Sequence, residues 1–386
     1  MADSLVEHQP IKINGENKVK EVTNTLPANG GSGTYSYSKN SYFQRLNASI
    51  EEKKIEEEIY EKLDVQNLVS ASNIICVADL GCATGPNTFV AVQNLLEAIK
   101  HKYQTQYPNH AMPEFHVFFN DLISNDFNTL FATLPKDRQY FAAGVPGSFH
   151  DRLFPESSLH FAYTNYALHL LSKSPEELQD KDSPAWNKGR IHYTNASKEV
   201  VEAYATQFAE DARNFLDARA KELAPGGMLV IIMQGIPFGM PHSEVTPGMI
   251  YDNMGCILMD MAKEGLFDES KVDSFNLPYY APTPEEIAKL VEENGYLNIE
   301  RMELTDPAPW LTHKSHLSVT SFITHVRAAL EGTIARHFGD EITDEMFQRL
   351  VKQISIKIDE LVSKYREKTQ LFVVLKRKET CAQLRV

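Results

Sequence analysis

Ile74-Ile75-Cys76-Val77-Ala78-Asp79-Leu80-Gly81-Cys82-Ala83-Thr84-Gly85-Pro86-Asn87 is the stretch on which the fold is decided. Its first half, Ile74–Leu80, is a short β-branched run. Gly81 stops it, and from Pro86 a helix follows with Phe89, Val92, Leu96 and Ile99 on one face. This is a strand, glycine loop, helix unit, and similar units flank it. Residues 115–120 (FHVFFN) form a second strand candidate ending in Asp121. Residues 139–145 form a third, before Pro146-Gly147-Ser148, and residues 159–166 a fourth. An amphipathic helix then sets Val201, Tyr204, Phe208, Ala212, Phe215 and Arg219 at helical spacing. It closes at Pro225-Gly226-Gly227, ahead of the apolar run 228–233. Strands alternating with helices predict an α/β fold: a doubly wound, mostly parallel sheet covered on both faces.

Two later runs, 297–304 and 371–376, have the pattern of closing strands, and the residues between them read mostly as helix. Such an insertion predicts a helical cap over the carboxyl edge of the sheet, where α/β folds bind ligands. The expected division is a flexible arm over 1–28, which runs into a mobile Asn29-Gly30-Gly31-Ser32-Gly33 loop, and a core over 29–240. A mainly helical cap over 241–370, interleaved with the strand 297–304, and a closing core strand over 371–378 complete it. A charged helical pattern spans residues 47–68.

Composition narrows the function. The 386 residues carry 38 Lys and Arg against 52 Asp and Glu, a formal charge of -14, which offers nucleic acid no platform for counterion release. Cys76, Cys82, Cys256 and Cys381 are scattered without a C-x-x-C pair, so neither a disulfide framework nor a structural zinc is expected. No apolar stretch is long enough to span a bilayer and the N-terminus lacks an apolar signal core, so the expectation is a cytoplasmic chain with no membrane partner.

The loop after Leu80 places two glycines and a proline where a strand must turn sharply and a helix must start. Glycine lets backbone approach a ligand, and the helix N-terminus offers unpaired N–H groups. A tight connection without a ligand gives the same pattern, and dinucleotide and phosphate binders share it. Asp79 and Asp121 shift the balance, because both sit at strand ends above one edge, where a carboxylate can accept both hydroxyls of a ribose. A nicotinamide binder would show G-x-G-x-x-G with its acid about 20 residues on. Here the glycine pattern is incomplete, Asp121 lies much further along, and Asp79 precedes the loop, placed to meet a ligand ammonium. There is also no G-x-x-x-x-G-K-[ST] stretch to cradle a triphosphate. An amino-acid-bearing nucleoside without phosphates fits these features, and S-adenosylmethionine is one.

Tyr37-Ser38-Lys39-Asn40-Ser41, Asp79-Leu80-Gly81-Cys82 with Gly85-Pro86-Asn87, Asn120-Asp121-Leu122, Asn125-Asp126-Phe127-Asn128, Val145-Pro146-Gly147-Ser148-Phe149 and Arg152-Leu153-Phe154-Pro155 occur in order along the chain. Together they closely resemble the plant SABATH methyltransferases, which act on salicylic, benzoic, jasmonic, loganic and farnesoic acids and include caffeine synthase. The resemblance covers about residues 29–378. It implies a Rossmann-like methyltransferase sheet with a helical cap, and a homodimer. It also implies that Tyr37, Ser41, Cys82, Asn87, Asp121, Leu122, Ser148 and Phe149 line the S-adenosylmethionine site, with Asp79 nearby. Asp121 would take the ribose hydroxyls, Phe149 the adenine and Asp79 the methionine ammonium. A Mg²⁺ site is implied at Asn187, Asp273, the carbonyl of Phe275 and Asn276, where a plain polar turn is the competing reading.

In the carboxyl-methylating members a Gln of the first helix and a Trp after the fourth strand hold the acceptor carboxylate. Here Gln44 occupies the first place, but Leu170 stands where the Trp would be, which leaves His169 as the nearest polar candidate or else a satisfied core histidine. Tyr166, Ile250, Tyr251 and Val326 match other pocket positions, and Tyr37 borders both sites. The resemblance therefore implies methyl-ester formation on a small carboxylic acid, oriented by Gln44 and His169. N-methylation of a purine or related heterocycle is the alternative, which Asn29 favours and Gln44 opposes. A binding protein of the same fold without turnover is a third reading, which the complete cofactor motifs oppose.

Overall fold

The computed structural model describes residues 26–65, 73–308, 318–363 and 366–379. Its centre is a seven-stranded sheet in the order β3-β2-β1-β4-β5-β7-β6. The strands are β1 (Ile74–Leu80), β2 (Glu114–Asp121), β3 (Phe141–Pro146), β4 (Leu159–Asn165), β5 (Leu223–Gln234), β6 (Leu297–Thr305) and β7 (Gln370–Arg377). The first five run parallel, and β7 lies antiparallel between β5 and β6. The expected doubly wound, mostly parallel sheet is therefore present.

Side-chain alternation sorts the strands onto two cores. Val77, Val117, Phe119, Phe161, Val230 and Phe372 pack on one face against two helices, α1 (Tyr42–Lys62) and α2 (Pro86–Gln106). Ala78, Leu80, Ala162, Leu229, Ile231 and Val373 pack on the other against α3 (Lys198–Glu222) and α4 (Pro284–Asn294). A third core joins α5 (Thr246–Lys263), α6 (Val319–Phe338) and α7 (Asp340–Ile356) into a cap, through Met254, Leu258, Phe322, Ile334, Met346 and Leu350.

Some boundaries differ from expectation, each for a local reason. Helix α1 begins at Tyr42, before the expected residue 47, and ends at Lys62; residues 66–68 lie outside the described residues. Pro225-Gly226-Gly227 does not cap α3, which ends at Glu222. It lies inside β5, where the register slips between Leu159 and Phe161 and Gly226 takes a φ of 78° that favours glycine. The Asn29–Gly33 stretch, expected as a mobile loop, is pinned by hydrogen bonds. Asn29 N–H donates to the Ala328 carbonyl at 2.9 Å and Gly31 N–H to Asp126 Oδ2 at 2.8 Å. Just before it, Leu26 N–H reaches Thr333 Oγ1 at 3.3 Å. Residues 1–25 of the expected arm lie outside the described residues. No helix among the described residues is long and apolar enough to cross a membrane.

Candidate active site

Because β1, β2 and β4 are parallel neighbours, Asp79, Asp121 and Asn165 all come to the same edge of the sheet. Beside that edge lies a cavity of about 220 Å³, closed on the far side by α5 and α6. Tyr37, Gln44, Asp121, Leu122, Ser148, Phe149, Tyr166, His169, Leu170, Ile250, Tyr251 and Val326 line it. Ser41, Asp79, Cys82 and Asn87 are not among its lining residues.

The loop itself shows why its glycine is needed. Gly81 has a φ of 84°, and a Cβ there would fall 2.5 Å from Cβ of Ala167. Ala83, also at positive φ, donates its N–H to Asp121 Oδ2 at 2.8 Å, and Leu122 N–H donates to Oδ1 at 2.8 Å. Burial raises the Asp121 carboxyl to about 6 in spite of these two bonds. Asp79 is buried and accepts a hydrogen bond from the Thr88 hydroxyl. Burial lifts its carboxyl to about 7, with the Thr88 bond opposing and the Asp121 charge adding. Asn87 ties the helix start to the N-terminal segment: its amide donates to the Ser41 carbonyl at 2.9 Å and accepts from Arg45 Nε at 3.1 Å. Ser41 Oγ is left buried with no partner among the described residues. The Cys82 thiol makes a weak bond to the Ala83 carbonyl, and burial and the two nearby aspartates push it well up, so it is not an activated nucleophile.

Ser148 and Phe149 are placed by a buried ion pair. Arg219 and Glu222, both fully buried on α3, meet at 2.6 Å. Arg219 donates to the Phe149 and Asp151 carbonyls at 2.7 and 3.0 Å, and Glu222 accepts the N–H groups of Leu153 and Phe154. Sequence reading placed Arg219 only on the apolar face of its helix.

On the acceptor side, His169 is buried, and its Nδ1 accepts the Gln234 N–H at 3.2 Å. That bond leaves the proton on Nε2, an N–H donor with no other partner among the described residues. Burial pushes the imidazole down to about 3, so it is neutral. Gln44 Oε1 is likewise buried without a partner among the described residues. Tyr166 holds a strained φ of 56°, and its hydroxyl donates to Gln370 Oε1 at 2.7 Å. Three contributors were missed. Asn165, whose buried Oδ1 has no partner among the described residues, was detectable as the end of the fourth strand on the edge shared by Asp79 and Asp121. His325 adjoins the expected Val326, whereas Tyr279, whose ring packs at a tilt against His169 with centroids 4.7 Å apart, gave no signal.

The structure brings the four proposed magnesium ligands to one place, but as a hydrogen-bonded turn. Asn187 Nδ2 donates to Asn276 Oδ1 at 2.7 Å, and Gly189 N–H donates to Asp273 Oδ1 at 2.7 Å. Two of the oxygens a hard cation would use thus already face N–H donors, the set holds one carboxylate, and Asn187 Oδ1 is a buried acceptor with no partner among the described residues. The hydrogen bonds as they stand favour the plain polar turn over a Mg²⁺ cage.

Paired strand-end aspartates, a glycine loop that admits no Cβ and a partly apolar cavity beside them define an α/β transferase that holds a nucleoside cofactor against a small acceptor. The chain belongs to the SAM-dependent carboxyl methyltransferase family, whose model matches residues 23–378. It is 43% identical to loganic acid O-methyltransferase of Catharanthus roseus over 91% of this chain and 94% of that one. It is 40% identical to farnesoic acid carboxyl-O-methyltransferase of Arabidopsis thaliana, over 90% and 97%. A solved loganic acid methyltransferase with SAH superposes with a TM-score of 0.87 at 43% identity, covering 92% of this chain and 99% of that one. The protein is a SAM-dependent carboxyl O-methyltransferase of the plant SABATH family.

Proposed function

We propose that the acid this enzyme esterifies is bulkier or more aliphatic than salicylate, a terpenoid or long-chain acid being the type. The observation that carries this reading is Leu170, which lines the cavity with Ile250 and Val326 at the place where the family resemblance implies a Trp. A leucine there leaves more apolar volume and removes an N–H donor.

S-adenosylmethionine, when bound, supplies an electrophilic methyl on a sulfonium. Asp121 and Leu122 would hold its ribose side, Ser148 and Phe149 its adenine side, and Asn165, Asp79 and Tyr37 its amino-acid end. The constricted Gly81 loop and the orphaned Asn165 Oδ1 support that fit. The acceptor is ionised at neutral pH, so no protein group has to take a proton from it. His169 Nε2–H and the Gln44 amide donate to the carboxylate and orient one oxygen for in-line attack. The aromatic rings of Tyr166, Tyr251 and Tyr279 keep water out.

Leu170→Trp refills the wall. It is expected to cost the native acid about 1–3 kcal/mol by overpacking and to move selectivity toward benzoate or salicylate. The ratio of kcat/KM for a compact and a bulky acid reads this directly. A wild type that favours salicylate, or an unchanged ratio in the variant, removes Leu170 from the specificity wall. Turnover is expected to persist in excess chelator, since no step calls on a Lewis acid. Loss of activity in EDTA with recovery on Mg²⁺ would give the Asp273 turn a catalytic role. A homodimer in the cytoplasm completes the proposal, and sedimentation of the purified chain tests the first part.

A further inference from the structure

Two buried imidazoles face the cavity from opposite elements, and their partners leave them with opposite hydrogen-bonding character. His169, just beyond β4, spends Nδ1 as an acceptor for the Gln234 N–H and so presents Nε2–H. His325, on the cap helix α6, has Nδ1 at 3.1 Å from the Asn40 carbonyl. A carbonyl only accepts, so Nδ1 carries the proton and Nε2 is left with a lone pair. That atom has no partner among the described residues, although His325 is only 8% exposed and lines the cavity. The ring is wedged at 5.4 Å from Phe43 and 6.4 Å from Tyr37, so it cannot turn to offer its other nitrogen without losing Asn40. Burial also holds it down to about 4, which keeps it neutral through the working range.

An ionised carboxylate has nothing to donate. It suits His169 and is repelled by a lone pair, so His325 addresses some other part of the acceptor. We propose that His325 Nε2 is a specificity determinant that accepts a hydrogen bond from a hydroxyl on the body of the acceptor, and that the native substrate is a hydroxylated acid. This rests on the acid reading above and refines it from a bulky acid to a bulky hydroxy acid. An acceptor lacking that hydroxyl would strand a buried lone pair, the kind of mismatch by which sites reject deoxy analogues.

The test compares matched acids that differ by one hydroxyl: decanoic with 10-hydroxydecanoic acid, and citronellic with 7-hydroxycitronellic acid. Wild type should favour the hydroxylated member of at least one pair by roughly tenfold in kcat/KM, a typical worth for one buried hydrogen bond. His325→Asn places an amide N–H where Nδ1 donates to Asn40 but removes the acceptor at the Nε2 position, so the preference should collapse toward unity. His325→Gln, whose amide reaches the Nε2 position, should restore part of it. Binding of S-adenosylhomocysteine should be unchanged in His325→Asn. If that binding weakens, His325 serves the cofactor and the proposal falls. It also falls if wild type esterifies these acids with no hydroxyl preference in either pair, or if the preference survives in a His325→Asn protein of near wild-type melting temperature. Should His325→Asn fail to fold, the wild-type ratios decide. Wild type that esterifies no acid at all sinks the acid reading itself, and this one with it.

Discussion

Arg219→Ala is expected to lower stability by about 3–5 kcal/mol, the range for removing one partner of a buried ion pair. The cost arises because Glu222 stays behind as a fully buried charge, while the Phe149 and Asp151 carbonyls lose their donors. Glu222 still accepts from Leu153 and Phe154, so the 149–154 loop would be held from one side only. The loss therefore reaches function: Ser148 and Phe149 sit on the lip of the cavity, and affinity for S-adenosylhomocysteine should fall along with stability. Denaturant unfolding of Arg219→Ala, Glu222→Ala and the double variant measures the pair. The single changes should be strongly non-additive, since the second removal no longer strands a charge. A loss below about 1 kcal/mol in Arg219→Ala would mean that water reaches Glu222 and that the pair does not hold the loop.

That ion pair marks the limit of what could be read in advance. The central sheet was legible because most of its parallel strands are apolar runs ended by glycine, proline or an acidic residue, and these local signals coincide with the pairing that tertiary structure demands. The cofactor loop was legible for the same reason, since Gly81, Asp79 and Asp121 are fixed by backbone requirements at strand ends. The start of helix α1 was misplaced because Tyr42, Phe43 and Gln44 carry no helical periodicity of their own, and Phe43 and Gln44 take their place from the cavity, Phe43 also from His325. Arg219 reads as a cation at the end of an amphipathic helix, and nothing nearby in sequence shows that its partners are carbonyls about 70 residues upstream. Tautomers are hidden in the same way. His169 and His325 are the same residue type, and only the Gln234 amide and the Asn40 carbonyl, far off in sequence, make one a donor and the other an acceptor.

Asp121→Ala is expected to weaken cofactor binding by about 1.5–3 kcal/mol, as befits hydrogen bonds to a charged acceptor. A pH dependence follows from the same carboxylate. Asp121 titrates at about 6 and Asp79 at about 7, both above the ordinary value because burial disfavours their charged forms. A carboxyl raised on folding binds more protons folded than unfolded, so its contribution makes the unliganded enzyme less stable as pH rises from about 4 toward 7. The proposed cofactor contacts reverse that preference, because ribose hydroxyls and a methionine ammonium both favour ionised partners. Affinity for S-adenosylhomocysteine should therefore climb between about pH 5 and 8, with protons released on binding near pH 6. Calorimetry in two buffers of different ionisation enthalpy counts those protons, and Asp121→Asn should release fewer. A folded Asp121→Ala with wild-type affinity would take Asp121 out of the cofactor site, and a flat affinity across that window would show that neither aspartate changes its charge when the cofactor arrives.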